Sequence, residues 1–349
     1  MKKILYIHNG YSTFVEKDIL IFKEEFLVEV FYFQVSKKYL LPVSFLKELF
    51  FILRHCFSTK KIVIQFGGFH SFLPVYLGKL FSIKTAIILS GTDCVSFPSI
   101  NYGNFNRTFL KFFTKISLRS VNMLIPVDNS LVKYNYTYQN EDYPQQGYLF
   151  HDPKIKTKFE VVYYGYDSAL WNSKHPKEKN SFVTIAANLS SRFGLKLKGI
   201  DLILETAPLL PDYKFYIIGG KSIHKSINIP PNVILIDRIP NSELSDFIGN
   251  KQFYLQLSMS EGFPNALCEA MLCECIPIVS NVASMPKIVG YDQDLILLKK
   301  DSSMLKELIL NLTNLSSKTE KEIAARDQIK NNFSYSNRKS SLLRILKDL

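Results

Sequence analysis

The N-terminal part of the chain repeats one pattern: KILYIHNG, KIVIQFGG, TAIILSGTD and MLIPVDNS each run β-branched and aromatic residues into a terminal Gly, Asn, Ser or Asp. Longer stretches of helical periodicity separate them. A strand apolar on both faces is buried on both faces, and only a parallel sheet covered by helices on each side offers such places. The rhythm restarts after residue 180 with SFVTIAANL, KFYIIGG, NVILIDRI, FYLQLS and CIPIVS. The reading is α/β, with two Rossmann-like domains facing across a cleft. In such sheets ligands sit beyond the carboxyl ends of the strands, where glycine turns and helix amide ends admit anions.

The polar stretch 167–180, DSALWNSKHPKEKN, interrupts both periodicities and marks the boundary. The expected division is 1–170, 178–332 and 333–349, the last being an amphipathic helix in SYSNRKSSLLRILKDL. Its apolar side carries Leu342, Leu343, Ile345 and Leu346, and it is expected to return to the first domain. The chain of 349 residues is long enough for this plan and too apolar, at 47% hydrophobic residues, for disorder. The N-terminal MKK and its short apolar run read as a first strand rather than a signal peptide. The most apolar region, 62–90, is broken by Gln65, Gly67, Gly68, His70, Lys79 and Lys84, so no transmembrane helix is expected.

The net charge of +12 favours acidic partners in general: nucleotide phosphates, lipid head groups or nucleic acid. The five cysteines, Cys56, Cys94, Cys268, Cys273 and Cys275, have no zinc-ligand or redox spacing and read as reduced, buried thiols of a cytoplasmic protein.

The most specific element is SEGFPNALCEAM at 260–271. Gly262 and Pro264 predict a tight turn with Pro264 as first helical residue, leading into a helix that packs Ala266, Leu267, Ala270 and Met271 against a core. Glu261 lies in the turn and Glu269 inside the helix. One reading is a solvated loop acid followed by a salt-bridged helix acid. The other assigns both to a ligand: the turn carboxylate takes sugar hydroxyls, and the helical one takes a ribose diol in bidentate fashion. Elsewhere, Gly219 closes the strand KFYIIGG, and a lone His70 at a strand end reads as structural. Asp292 and Asp294 in GYDQDLIL have the spacing of a divalent-metal site, but no His or Cys joins them, and they read as a solvated turn.

SMSEGFPNALCEAMLCECIPIVS, together with VVYYGYDSALW at 161–171 and the Lys198-Gly199 pair in LKLKGIDLIL, is similar to the retaining glycosyltransferases of family 4, which have the GT-B fold. The resemblance covers most of the chain from about 160 onward and, more loosely, the N-terminal domain. It implies that Glu261 contacts a donor sugar and Glu269 the nucleotide ribose. Backbone amides around Gly262, Phe263 and Asn265 then face sugar and diphosphate, and Lys198 pairs with the diphosphate. Lys198 is read as sitting beside a helix start, where the dipole disfavours a cation unless an anion is present. The family arginine is replaced by Asn188 in AANL, and Arg192, from what reads as an unusually long loop, is the candidate substitute. A Glu274-Cys275 pair replaces the family glycine after the second acid's helix.

In the first domain LSGTD at 89–93 resembles the family's HGTD-like loop, with Ser90 in place of His. Asp93 is a candidate for contacting acceptor or donor hydroxyls, the alternative being a turn-capping Asp. In HNGYSTF, residues 8–14, Gly10 is the expected close-approach residue to the donor phosphates. Arg107, Lys111, Lys115 and Arg119 recur at i, i+4 with Phe109, Phe112, Phe113 and Ile116 among them, and SFLKELFFILRHCF at 44–57 is of the same kind. Both suit either an anionic membrane or an ordinary surface helix with its aromatics turned to the core.

The implied function is transfer of a sugar, with retention, from a nucleotide-diphosphate sugar to a saccharide or lipid-linked saccharide, as in surface polysaccharide biosynthesis. Neither a metal nor a nucleic-acid partner is expected, and peripheral membrane contact is a candidate. The alternatives are a nucleotide-sugar 2-epimerase of the same architecture and a catalytically silent sugar-nucleotide-binding protein.

Overall fold

The computed structural model describes residues 2–34, 38–172 and 176–349, so residues 173–175 of the expected boundary stretch lie outside the described residues. The chain forms two compact units. Unit 1 comprises Met1–Asn135, Gln145–Gly165 and Ser336–Leu349; unit 2 comprises Tyr136–Pro144 and Tyr166–Tyr335.

Unit 1 is built on β1 (Lys2–His8), β2 (Phe26–Tyr32), β3 (Thr59–Gln65), β4 (Lys84–Leu89) and β5 (Met123–Pro126), all parallel in the order β2-β1-β3-β4-β5. The central strands bury nearly every residue, which is why they read as unbroken apolar runs. α1 (Thr13–Lys23), α2 (Leu41–His55), α3 (Phe69–Leu80) and α4 (Thr108–Ser120) supply the crossovers. A ribbon of β6 (Tyr134–Asn135) and β7 (Gln145–Gln146), then the single turn α5 (Tyr148–His151), follow.

Unit 2 has β8 (Glu178–Ile185), β9 (Lys214–Ile218), β10 (Val233–Ile236), β11 (Lys251–Gln256), β12 (Ile276–Ser280) and β13 (Ile296–Leu297), in the order β10-β9-β8-β11-β12-β13. Taken in chain order this is the 3-2-1-4-5-6 Rossmann arrangement, with its reversal between β8 and β11. Phe182 lies opposite Phe215 on β9 and Phe253 on β11, with ring centroids at 5.2 and 4.7 Å. That aromatic ladder pins the register of three strands. The helices are α6 (Arg192–Lys198), α7 (Ile200–Thr206), α8 (Asn241–Gly249), α9 (Asn265–Leu272), α10 (Met285–Ile288), α11 (Ser302–Thr313) and α12 (Lys318–Asn332).

The final helix, α13 (Tyr335–Asp348), packs in unit 1 as the sequence predicts, burying Leu342, Leu343, Ile345 and Leu346. Arg338 anchors it. The guanidinium is 3% exposed, meets both oxygens of fully buried Asp18 at 2.7 and 2.5 Å, and donates to the carbonyls of Val162 and Tyr163. Its plane lies 4.5 Å from the Tyr164 ring centroid.

At the end of α9, Glu274 holds φ +61°, donates its N–H to the Met271 carbonyl, and is followed by the Cys275 N–H on Ala270. This is a Schellman terminus whose left-handed position, usually glycine, holds glutamate. Arg326 and Lys177 take the carbonyls of Leu272 and Cys273. The departure from the family glycine thus keeps the turn and strains one residue.

Two stability outcomes follow from these contacts. Asp18→Asn leaves a buried guanidinium without its counter-ion and costs about 3–5 kcal/mol; a denaturant midpoint unchanged from wild type contradicts the anchoring role. Glu274→Gly relieves the left-handed position and stabilises by about 1 kcal/mol; an unchanged or lower midpoint contradicts the assignment of strain.

Candidate functional site

The reversal between β8 and β11 opens a crevice at the carboxyl edge of the unit 2 sheet, and the loops after these two strands carry the predicted polar residues. The key local event is at Gly199. It has φ +68° and separates α6 from α7, and a Cβ built on it meets the Leu257 carbonyl oxygen at 2.1 Å. Only glycine allows this approach. The Met259 N–H then donates to the Leu197 carbonyl at 2.9 Å, fastening the helix junction to the loop after β11.

Lys198 is thereby set beside Glu261, and its Nζ donates to Oε1 at 2.7 Å, with the two side chains 30% and 13% exposed. Gln256 Nε2 donates to the same oxygen at 3.2 Å and to Ser258 Oγ at 2.8 Å. Lys198 stands beside a helix start, as the sequence reading has it, since Gly199 is the N-cap of α7. It is at the same time the last residue of α6, a helix end the sequence reading did not place, and the carbonyl end of α6 favours a cation there. The loop expected around Arg192 is also shorter than read: Arg192 opens α6, exposed, behind Ser191, whose hydroxyl accepts the Gly194 N–H. Asn188 is exposed in the left-handed region at φ +62°, a conformation that asparagine tolerates.

Glu269 is 7% exposed on the inner side of α9. Gly262 and Phe263 are buried in the turn before it, and Pro264 caps the helix instead of opening it, so Asn265 is the first helical residue. Tyr166 OH donates to Asn265 Oδ1 at 2.6 Å, and Phe263 packs against the rings of Tyr166 and Phe333. Tyr166 therefore braces the amide end of α9. Gly219, at φ +84°, lies where a side chain meets the Ala186 carbonyl, so the loops after β8 and β9 close on each other. Tyr166 and Gln256 were missed in the sequence. A glutamine inside the apolar run FYLQLS was the available signal for the second.

Asp93 and Gly10 belong to unit 1. Asp93 is fully buried; its oxygens take the N–H groups of Gly67, Ser90 and Gly91 at 2.9, 3.2 and 3.0 Å. Burial raises its pKa to about 6 in spite of those donors. It knots the loop after β3 to the loop after β4. Ser90, in the place of the family histidine, accepts from Gln65 at 2.6 Å and from Tyr164 at 2.8 Å. Asn9, Gly67, His70, Asp93, Asn104 and Arg107 line a cavity of about 540 Å³ at the carboxyl edge of this sheet. His70 is buried with its Nε2 2.7 Å from the Gln65 carbonyl, and burial lowers its pKa to about 4. A side chain at Gly10 meets nothing within 4 Å, so the backbone there is open to close approach.

Asp292 and Asp294 are both met by Lys321 Nζ, at 2.5 and 3.4 Å, so a protein cation stands where a metal ion is conceivable. Among the described residues no group of three or more His, Cys, Asp or Glu is placed to hold a metal. The five cysteines are free and buried. No helix of the described residues is long and apolar enough to cross a membrane.

Residues 170–332 match the family described as "Glycosyl transferases group 1". A curated relative, the capsular polysaccharide biosynthesis glycosyltransferase CapH of Staphylococcus aureus, is 27% identical over 161 residues, which are 44% of this chain and 42% of that protein. The match therefore spans less than half of the relative's length. Among solved structures, sucrose-phosphate synthase from Thermosynechococcus elongatus aligns over 100% of this chain and 99% of its own, with a TM-score of 0.74 and 12% identity. The pneumococcal O-GlcNAc transferase GtfA, solved with UDP and GlcNAc, aligns over 82% of this chain and 56% of its own, with a TM-score of 0.57 and 14% identity. The likeness to these solved structures extends to the two-domain GT-B fold, and the part of the chain that matches group 1 is the part that carries Lys198, Glu261 and Glu269.

Proposed function

We propose that the protein transfers a sugar, with retention and without a metal, from a nucleotide-diphosphate donor bound by unit 2 to a saccharide or lipid-linked saccharide acceptor bound by unit 1. The observation that carries this reading is the Lys198–Glu261 pair, held at 2.7 Å at the reversal point of the Rossmann sheet, one loop ahead of buried Glu269. An ammonium has three donors, so Lys198 can keep Glu261 in place and still meet phosphate oxygens. The N–H groups that open α9 add positive potential toward the same diphosphate. Glu261 accepts from sugar hydroxyls and Glu269 from the ribose diol. Gly262, Phe263 and Asn265 shape the turn between them, Gly219 and Asn188 form neighbouring loop walls, and Arg192, exposed at the start of α6, is the candidate second cation for the diphosphate.

In the reaction the anomeric carbon–phosphate oxygen bond breaks while the acceptor oxygen bonds to the same carbon on the same face. The acceptor's proton passes to the departing phosphate oxygen, so no protein base is required. Asp93 and Gly10 serve the unit 1 side, Asp93 by holding the loops that frame its cavity. The name of the CapH relative supports a place in surface polysaccharide assembly, and the UDP in the GtfA structure makes UDP-sugars the first donors to try.

Incubation with nucleotide-diphosphate sugars and an acceptor panel is expected to give a transfer product. Free nucleoside diphosphate with no product across the panel argues against transfer, and an epimerised donor selects the epimerase. Glu269→Ala weakens nucleoside diphosphate binding about tenfold or more, the loss of hydrogen bonds to a charged acceptor being worth about 1.5–3 kcal/mol. Unchanged affinity removes the ribose assignment. Glu261→Ala lowers turnover more than it lowers nucleoside diphosphate affinity, and equal losses contradict its place at the sugar.

A further inference from the structure

α2, α3 and α4 form one contiguous layer over unit 1. Phe113 of α4 packs against Phe45 of α2 at 6.0 Å and against Phe69 and Phe72 of α3 at 5.3 and 5.2 Å. With that inner seam filled, the sequence leaves a second apolar set on the outside. On α2, Val43, Leu46, Phe50 and Leu53 repeat at three- and four-residue steps and are 46%, 55%, 70% and 40% exposed. Tyr76 and Leu80 of α3 and Phe109 and Phe112 of α4 continue the patch, Phe109 at 79% exposure. Scattered exposed apolar residues are ordinary, but a continuous patch of this kind marks an interaction surface.

The charge around the patch has one sign. Lys47, Arg54, Lys79, Arg107, Lys111, Lys115 and Arg119 lie on or at the ends of these helices. The acid within them, Glu48 of α2, is fully buried, and burial raises its pKa well above the ordinary carboxyl value, so it offers no compensating surface charge. Arg119 is paired with Asp152 of the neighbouring loop at 2.7 Å and contributes least. A protein partner with an apolar face can fill such a patch, but cations interleaved with outward aromatics across three helices match the acyl boundary and head groups of an anionic bilayer.

We propose that the outer face of α2, α3 and α4 docks on an anionic lipid surface. The unit 1 cavity is lined by Leu41, Phe69 and Arg107, residues at the starts of these same helices, so it opens at the edge of the docked face. Insofar as it rests on the transferase reading, this selects a lipid-borne acceptor; the docking itself is independent of that reading.

Vesicle flotation tests it with the full chain. Wild type is expected to bind vesicles containing phosphatidylglycerol at least tenfold more strongly than pure phosphatidylcholine vesicles, and to release in high salt. The triple variant Phe50→Ser, Phe109→Ser, Phe112→Ser changes exposed positions alone and is expected to lose at least tenfold in binding with an unaltered melting temperature. Lys47→Glu with Lys111→Glu gives the same loss by charge, and serves if the triple variant does not fold. Leu20→Ser with Leu27→Ser, exposed residues outside the patch, leaves binding unchanged. Failure of wild type to bind phosphatidylglycerol vesicles overturns the proposal, as does retained binding by the variants. Concentration-dependent self-association abolished by the triple variant, without vesicle binding, assigns the face to a second copy and also overturns it. Loss of vesicle binding with soluble-acceptor transfer intact leaves the transferase reading standing.

Discussion

The close approach of Gly199 to the Leu257 carbonyl is the constraint on which the unit 2 site depends. A side chain at that position would overlap the backbone, so the chain can pass from α6 into α7 there only through a left-handed glycine. The approach brings the end of α6 against the loop after β11, and the Met259–Leu197 hydrogen bond holds it. Lys198 then needs no long reach to meet Glu261. It also stands at the carbonyl end of α6 and is paired with Glu261, a place where a lysine is stable before any ligand arrives.

The sheets explain why the polar residues gather at strand ends. Each strand interior is apolar because both faces are covered, so chemistry is confined to the carboxyl-edge loops. In unit 1 those loops are tied by Asp93 through three backbone N–H groups, and in unit 2 by glycine contacts and the Tyr166–Asn265 bond. Rigid loops on a rigid sheet keep donor groups aimed without a cost in reorganisation.

Much of this was legible in the sequence, and the failures have physical reasons. Strand runs ending in Gly, Asn, Ser or Asp located most of the parallel strands, and Leu342, Leu343, Ile345 and Leu346 gave the buried side of α13. FLVEVFY, now β2, was not singled out, since as an edge strand it is only partly buried and ends in Tyr rather than a turn residue. Lys198 was read beside a helix start, which α7 provides, but that it also ends α6 was not read. The close packing at Gly199 is against Leu257, far away in sequence, and local periodicity does not show it. α2 has two apolar stripes, and composition alone does not say which one is covered. The segment Tyr136–Pro144 belongs to unit 2 although its neighbours on both sides belong to unit 1. It is held by contacts such as Lys299 Nζ to the Thr137 carbonyl at 2.6 Å, which no local pattern announces.

Calorimetric titration of UDP and GDP in the presence of EDTA, with wild type and Lys198→Ala, tests the central claim most directly. The account predicts that wild type binds one of these nucleotides without metal and that Lys198→Ala binds it at least tenfold more weakly, with a much smaller loss for the parent nucleoside. Equal affinity of the two proteins for the diphosphate, or binding that appears only when a divalent cation is restored, would contradict it.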